Sequence, residues 1–223
     1  MHSPTAVLLS AGLDSVVLAA SEARSSHVHP IYVSAGLAWE DTELDALAHL
    51  LREPPFVGQL APLERLSFTV TDVYHPTHWA LRGTPPDFDT PDEDVYLVGR
   101  NVALLSKAAI YCAQQGIGRI ALGLLAGNPF PDATPEFFDS MARALSLGLA
   151  RHIAIEAPFA TMEKSDVIRL GVELGVPLAL TLSCMNPQNG LHCGQCSKCR
   201  ERRDGFTEAG VPDPTRYATI PVR

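Results

Sequence analysis

Positive charge is scarce in this chain. Its 223 residues carry 17 lysines and arginines against 25 aspartates and glutamates, a formal net charge of −8. A broad face that grips nucleic-acid phosphates needs the opposite balance, so a nucleic-acid partner is not expected and a small substrate is. Long apolar runs are lacking too. The one early run, Ala6 to Ala20, is broken by Asp14 and has no basic lead-in, which makes it a poor signal peptide. No membrane span is visible, and the expected location is cytoplasmic. Internal repeats and low-complexity tracts are not evident. Cysteine is sparse and uneven: there are five, and four fall between Cys184 and Cys199, unlike a secreted disulfide framework. What is plentiful is apolar content, at 46%, ample for one large domain or a domain with an appendage.

The chain is organised around Ala6-Val7-Leu8-Leu9-Ser10-Ala11-Gly12-Leu13-Asp14-Ser15 and the run Val16-Val17-Leu18-Ala19-Ala20 that follows. Four apolar residues predict a short buried strand, Ser10 to Ser15 a turn, and Val16 onward a helix capped by Asp14 or Ser15. A turn of small residues opening onto a helix N-terminus aims backbone N–H groups at one spot, which the helix dipole makes favourable for phosphate. The loop lacks a Gly-Lys-Ser/Thr ending and a Gly-x-Gly-x-x-Gly spacing, so it is neither of those nucleotide motifs. Ser-x-Gly-x-Asp-Ser is instead similar to the pyrophosphate loop of enzymes that cleave ATP between the α and β phosphates. An ordinary capped strand-to-helix connection is the plainer alternative.

Further strands are expected at Ile31 to Val33, at Leu66-Phe68-Val70 by alternation, at Ile120 to Leu122 and at Ile153 to Ile155. Helices are expected over 40–52, 102–115, from Pro135 with Thr134 as its cap, and over 161–174. Strands alternating with helices of this length imply an α/β fold with a doubly wound, mainly parallel sheet, in which ligands sit beyond the carboxyl ends of the strands. The loops Ser10 to Ser15, Gly99 to Asn101 and Gly123 to Asp132 should therefore face one cleft. Between His75 and Asp94 a proline-rich, acidic stretch reads as a lid or a disordered excursion.

Cys184, Cys193, Cys196 and Cys199 form Cys-x8-Cys-x2-Cys-x2-Cys. That spacing lets four thiolates surround one zinc ion, in a closed site that fixes the C-terminal segment rather than performing chemistry. An iron–sulfur cluster ranks below zinc. His192 is not needed as a ligand, and Cys112 reads as a core residue.

With both ends read, the chain resembles the 7-cyano-7-deazaguanine synthase (QueC-like) family of PP-loop ATP pyrophosphatases. The likeness rests on Leu8 to Leu18, Gly99-Arg100-Asn101, Phe130-Pro131-Asp132, Pro135-Glu136-Phe137, Lys164 with Ile168-Arg169-Leu170-Gly171, and Ser183-Cys184 through Cys199. It implies an adenine nucleotide alpha hydrolase-like fold, with an ATP-binding domain over 1–182 and a zinc-binding segment over 183–223. The implied activity is an ATP-dependent ligase that joins 7-carboxy-7-deazaguanine and ammonia through an adenylated intermediate, as a homodimer, with ATP, Mg2+ and Zn2+. On that resemblance the stretch Leu8, Leu9, Ser10, Ala11, Gly12, Leu13, Asp14, Ser15, Val16, Val17 and Leu18 binds ATP, with Ser10, Asp14 and Ser15 handling phosphate and magnesium. Arg100 and Lys164 would neutralise charge, Asn101 and Asp132 would orient substrate, and the four cysteines would hold zinc.

The chain departs from the family pattern at Ala11, at Ser34-Ala35-Gly36-Leu37-Ala38-Trp39, and at Ala126, Ala133 and Thr134. If position 11 required positive φ, alanine there would cost roughly 1 kcal/mol. The apolar replacements leave room for a paralogue that adenylates another carboxylate, perhaps a related base or a protein terminus. A non-catalytic zinc-stabilised binding protein is the alternative outside enzymes. The basic group Lys198, Arg200, Arg202 and Arg203 is the only support for a tRNA-modifying or sulfur-transferring relative.

Overall fold

A computed structural model describes residues 4–219. Five strands, β1 (Pro4–Leu8), β2 (His27–Ser34), β3 (Glu64–Ser67), β4 (Arg119–Ala121) and β5 (Ala154–Glu156), form one sheet in the order β3-β2-β1-β4-β5. Every adjacent pair is parallel. Among the described residues, seven α-helices accompany them: α1 (Leu13–Glu22), α2 (Glu40–Leu50), α3 (Trp79–Arg82), α4 (Arg100–Gln115), α5 (Pro135–Leu149), α6 (Lys164–Glu173) and α7 (Ser197–Ala209).

Alternation along the strands sends successive side chains to opposite faces, and the core divides accordingly. Val7, Tyr32 and Ala121 face a layer built from α1, α2, α6 and α7, with Leu47, Ile168 and Phe206 buried in it. Ala6, Ile31, Ile120 and Ile155 face the other layer, where α4 and α5 supply Leu105, Ala109, Cys112 and Phe138. After β3 the chain recrosses through α4 and places β4 on the far side of β1. Strand order therefore reverses between β1 and β4, and the crevice beyond their carboxyl ends is the place such sheets bind ligands.

Local structure corrects two expectations. Helix α1 begins at Leu13 with Gly12 as its N-cap and no side-chain cap, because both expected capping groups are engaged elsewhere. The Ser15 hydroxyl turns back to the Ser10 and Gly12 carbonyls, and the Asp14 carboxylate meets Lys164. Strand β3 ends at Ser67, so Phe68 is exposed rather than alternating inward with Leu66 and Val70. The cap expected before α5 is present: the Thr134 hydroxyl accepts from the Phe137 amide at 3.1 Å. Helix α6 starts at Lys164 under a reciprocal cap, in which Glu163 and Asp166 each accept from the other's backbone.

The acidic, proline-rich stretch packs back on the body. The Arg200 guanidinium donates to the Phe88 and Thr90 carbonyls at 2.8 Å and to the Asp92 carboxylate at 3.1 Å. A bridge joins Asp87 to Cys196. Beyond that stretch, Val95 and Leu97 form one wall of the central crevice.

Candidate functional site

The loop from Ser10 to Ser15 is tied into a small ring. The Ser10 amide donates to the Ser15 hydroxyl at 3.2 Å, and the Gly12 amide donates to the Ser10 hydroxyl at 3.0 Å. The first amides of α1 lack helical acceptors by geometry and point out of the loop. Ala11 is buried and its φ is negative, since Ala150 and Asn189 are the only non-glycine residues at positive φ among those described. Its carbonyl accepts from Leu182 at 2.7 Å. Alanine at position 11 therefore carries no left-handed backbone cost, which removes the main structural argument for a chain that has lost its loop. Gly123, after β4, packs directly on the start of α1: a Cβ there would lie 2.9 Å from both the Asp14 carbonyl carbon and the Ser15 nitrogen.

Two cavities of about 230 Å³ each open beside this loop. The first lies beyond the ends of β1, β2 and β4, between Leu8, Leu9, Val33, Leu122 and Leu124, with Asn101 and Asp132 at its edge. The second runs from Ser10, Gly12 and Asp14 past Lys164 and Glu201 to Leu182, Cys184 and Met185, with Trp39 and Trp79 on one side. Ser10, Glu43, Arg100 and Phe130 line both. The three loops expected to face one cleft do so.

Lys164 reaches the loop: its ammonium donates to both Asp14 oxygens, at 2.8 and 2.6 Å, and pairs with Glu201 at 2.7 Å. Burial works to lower its pKa, but the two carboxylates outweigh that and hold the ammonium above the ordinary lysine range. Glu201 is half-buried, and burial works to raise its carboxyl, yet Lys164 and Lys198 bring it down to about 2. Arg100, opening α4 after Gly99, has a buried Nε with no hydrogen-bond partner. It faces Glu43, which is buried and accepts from the Tyr32 hydroxyl at 2.9 Å. Burial pushes the Glu43 carboxyl up, against the opposing pull of Arg100 and of the Tyr32 and Ser10 hydroxyls.

Asn101 and Asp132 hold each other. The Asp132 carboxylate accepts from the Asn101 amide at 3.1 Å, and its carbonyl accepts from Asn101 Nδ2 at 2.9 Å, so the loop after β4 is clasped to the first turn of α4. Burial raises the Asp132 carboxyl above its usual range.

The four cysteines converge. Their ligand atoms all lie within 4.8 Å of one another, with Sγ–Sγ separations of 4.0 Å (Cys184 to Cys196), 3.9 Å (Cys193 to Cys199) and 3.6 Å (Cys196 to Cys199). A tetrahedron with Zn–S bonds of about 2.3 Å has edges of about 3.8 Å, so the cluster fits zinc. Amides of Asn186 and Cys193 donate to Cys184 Sγ, and that of Gln195 to Cys193 Sγ. Such donors fix and support thiolate ligands. His192 stands apart with its Nε2 accepting from the Ser183 amide at 3.1 Å; burial, with Arg202 nearby, lowers its pKa to about 3.

Sequence reasoning missed Tyr32, Glu40, Glu43, Trp79 and Glu201. Glu40, Glu43 and Trp79 lie between Ser34 and Val98, a stretch that supplies none of the motifs on which the resemblance rests. Glu40 accepts from Ser34 Oγ and from the Ala35 and Gly36 amides, which folds the turn after β2 beneath the cleft. Glutamates spaced i, i+3 on a helix that must bury one face were the available signal. The basic group near the C-terminus is not a patch. Lys198 pairs with Glu201, and Arg200 holds the Phe88 to Asp92 stretch. Arg202 is buried, and Arg203 lies 5.7 Å over the Phe88 ring. Internal partners consume the charge that a tRNA-binding face would need.

These features define a class: a doubly wound α/β protein with a helix N-terminus opening at the strand-order switch and a cysteine cluster suited to zinc at its rim. More narrowly, the chain belongs to the family described as Queuosine biosynthesis protein QueC, whose sequence profile it matches over residues 5–210. It is 36% identical over 220 residues to the 7-cyano-7-deazaguanine synthase of Methanothrix thermoacetophila, covering 94% of this chain and 96% of that protein. It is 34% identical to the synthase of Methanopyrus kandleri, covering 96% and 98%, and 34% identical to that of Stenotrophomonas maltophilia, covering 95% and 98%. A solved structure, the predicted subunit of tRNA methyltransferase from Methanocaldococcus jannaschii, overlaps 77% of this chain and 76% of its own, with 15% identity and a TM-score of 0.46. That likeness is too low to carry an argument. Among the described residues no helix is long and apolar enough to cross a membrane.

Proposed function

We propose that this chain is an ATP-dependent ligase that converts 7-carboxy-7-deazaguanine and ammonia to 7-cyano-7-deazaguanine. The observation that carries the reading is the meeting of the α1 mouth, Ser10, Asp14, Arg100 and Lys164 around adjoining cavities. A carboxylate is a poor electrophile, and transfer of AMP to it gives a mixed anhydride that ammonia can open. In the second round the amide oxygen takes AMP from another ATP with release of pyrophosphate, and loss of that AMP and of the N–H protons leaves the nitrile. In this assignment the first cavity takes the adenosine between Leu8, Leu9, Val33 and Leu122, and the second cavity takes the acid against Trp39 and Trp79. The amides of α1 and the Ser10 hydroxyl hold the departing pyrophosphate, the Ser15 hydroxyl fixes the loop through the Ser10 and Gly12 carbonyls, and Arg100 draws the reacting carboxylate toward the α-phosphorus. Asp14 offers the single carboxylate that magnesium accepts beside phosphate oxygens and water, and the ion would neutralise charge on the leaving group. Asn101 and Asp132, which line the first cavity, keep the loop after β4 in register with α4 beside the nucleotide.

The proposal includes zinc in the 183–223 segment, the nucleotide in the 1–182 domain, and a homodimer in solution. It is tested by exchange of labelled pyrophosphate into ATP. Stimulation by 7-carboxy-7-deazaguanine is the expected result, and exchange indifferent to that acid overturns it. A second reading, adenylation of a different carboxylate, draws on the apolar wall that Leu37 and Trp39 give the turn after β2. Stimulation by another acid from a panel, in place of the deazaguanine acid, would favour it.

A further inference from the structure

Four charges alternate in a line across the second cavity: Lys198, Glu201, Lys164 and Asp14, with contacts of 2.6, 2.7 and 2.6 Å. The line starts on α7, in the cysteine-bound segment, and ends on the phosphate loop. From this juxtaposition we infer that Glu201 is a positioning residue for the nucleotide site, holding Lys164 beside the loop so that Asp14 is free to take a magnesium ion. The inference rests on the proposed nucleotide site.

Lys164 is the first residue of α6, where the helix dipole disfavours a cation, and its side chain is only 15% exposed. It stays charged there because carboxylates from two other elements flank it. Its stem is also shaped by α7. A Cβ on Gly205 would come within 2.4 Å of Lys164 Cγ and 3.1 Å of Ile168 Cδ1, so the lysine occupies the space a side chain on α7 would fill. Glu201 and Gly205 are one helical turn apart and grip the same lysine at its head and its stem.

When Asp14 turns to a cation, only Glu201 keeps Lys164 at the loop, available to phosphate oxygens. Without Glu201 the lysine has Asp14 as its sole anion, and the pair competes with magnesium. Glu201 lies two residues past Cys199, so whatever fixes the cysteine cluster also fixes this carboxylate. A closed metal site thereby bears on a phosphate site whose reacting atoms it never touches.

The test is calorimetric binding of magnesium α,β-methylene-ATP to the full, zinc-loaded chain. Glu201→Gln should bind about tenfold more weakly, as loss of one charge-assisted contact implies, with zinc content and melting temperature close to the parent's. Lys164→Met should also weaken binding, and the double variant should be no weaker than Lys164→Met alone, because Glu201 acts through the lysine. Should Glu201→Gln not yield soluble, zinc-loaded protein, Glu201→Asp enters the same cycle; it keeps the charge and shortens the reach. Losses that add in the cycle, or a Glu201 variant that binds like the parent, overturn the inference alone. A parent chain that binds no magnesium nucleotide overturns the proposed function and the inference together.

Discussion

Replacing Gly123 with alanine tests the placement of the phosphate loop without touching any group that would meet ligand through a side chain. The new methyl would stand 2.9 Å from the Asp14 carbonyl carbon, 2.9 Å from the Ser15 nitrogen and 3.1 Å from the Asp14 oxygen. Relaxed carbon contacts are about 3.5 to 4.0 Å, so β4's loop and the start of α1 must part by about half an ångström or more. Both sides are backbone, and neither can rotate away. Overpacking of this kind costs about 1–3 kcal/mol, or roughly 2–12 °C in melting temperature for a domain of this size. The same displacement moves the α1 amides off their target, and affinity for magnesium ATP should fall about tenfold. Gly148→Ala is the control. It lies within α5 with nothing within 4 Å of its added Cβ, and alanine there should be neutral or stabilising by up to about 1 kcal/mol. Differential scanning calorimetry and nucleotide titration read both effects. A Gly123→Ala chain that melts and binds like Gly148→Ala would refute the idea that this close approach sets the loop.

Other outcomes follow from the same contacts. Cys196→Ser should lose zinc and soluble yield together, measured by atomic emission on the purified chain; soluble, zinc-replete protein would contradict the ligand set. Arg202→Ala should lower stability by about 3 kcal/mol, or roughly 6–12 °C. The guanidinium is buried and donates to Leu178 O and Thr181 Oγ1 at 2.8 Å and to Thr215 Oγ1 at 2.6 Å, so alanine removes three charge-assisted bonds and leaves a cavity. Glu43→Gln should stabilise the chain at neutral pH and reduce turnover. Burial raises the Glu43 pKa above its unfolded value of 4.5, so the folded state holds the proton more tightly and stability falls as pH climbs through that window. Denaturant titration should find the variant's advantage at pH 7 and none below about pH 4.5, where both states are protonated.

The sheet was legible because strands buried on both faces leave short continuous apolar runs, as Ala6 and Val7, packed into opposite layers, illustrate. Thr134-Pro135-Glu136 announced α5 because a cap is chemistry local to three residues. The start of α1 was misplaced for the converse reason. Asp14 and Ser15 are both good caps in isolation, but a lysine 150 positions away and a carbonyl five positions back claimed them. The cysteine cluster was readable from spacing, since closely spaced cysteines can reach one point whatever surrounds them. Glu43 and Glu201 were not, because a carboxylate paired through the fold has no local signature: its meaning lies in Tyr32, Arg100 and Lys164, which are distant in sequence.

That difference also explains how the cleft stays stable before ligand arrives. Phosphate-binding groups left bare would leave uncompensated charge beside an apolar core. Here the charges are lent to one another. Asp14 and Glu201 hold Lys164, Glu43 faces Arg100 with its carboxyl pushed toward the neutral form, and Asp132 takes the first amide bonds of α4. A magnesium nucleotide can replace the Asp14–Lys164 pair in kind, a cation for the carboxylate and phosphate oxygens for the ammonium. A bare triphosphate can answer only the ammonium and leaves Asp14 facing like charge. Binding at this mouth should therefore depend steeply on magnesium even before any chemistry occurs, and nucleotide that binds equally well with and without the ion would show that the Asp14–Lys164 pair does not open.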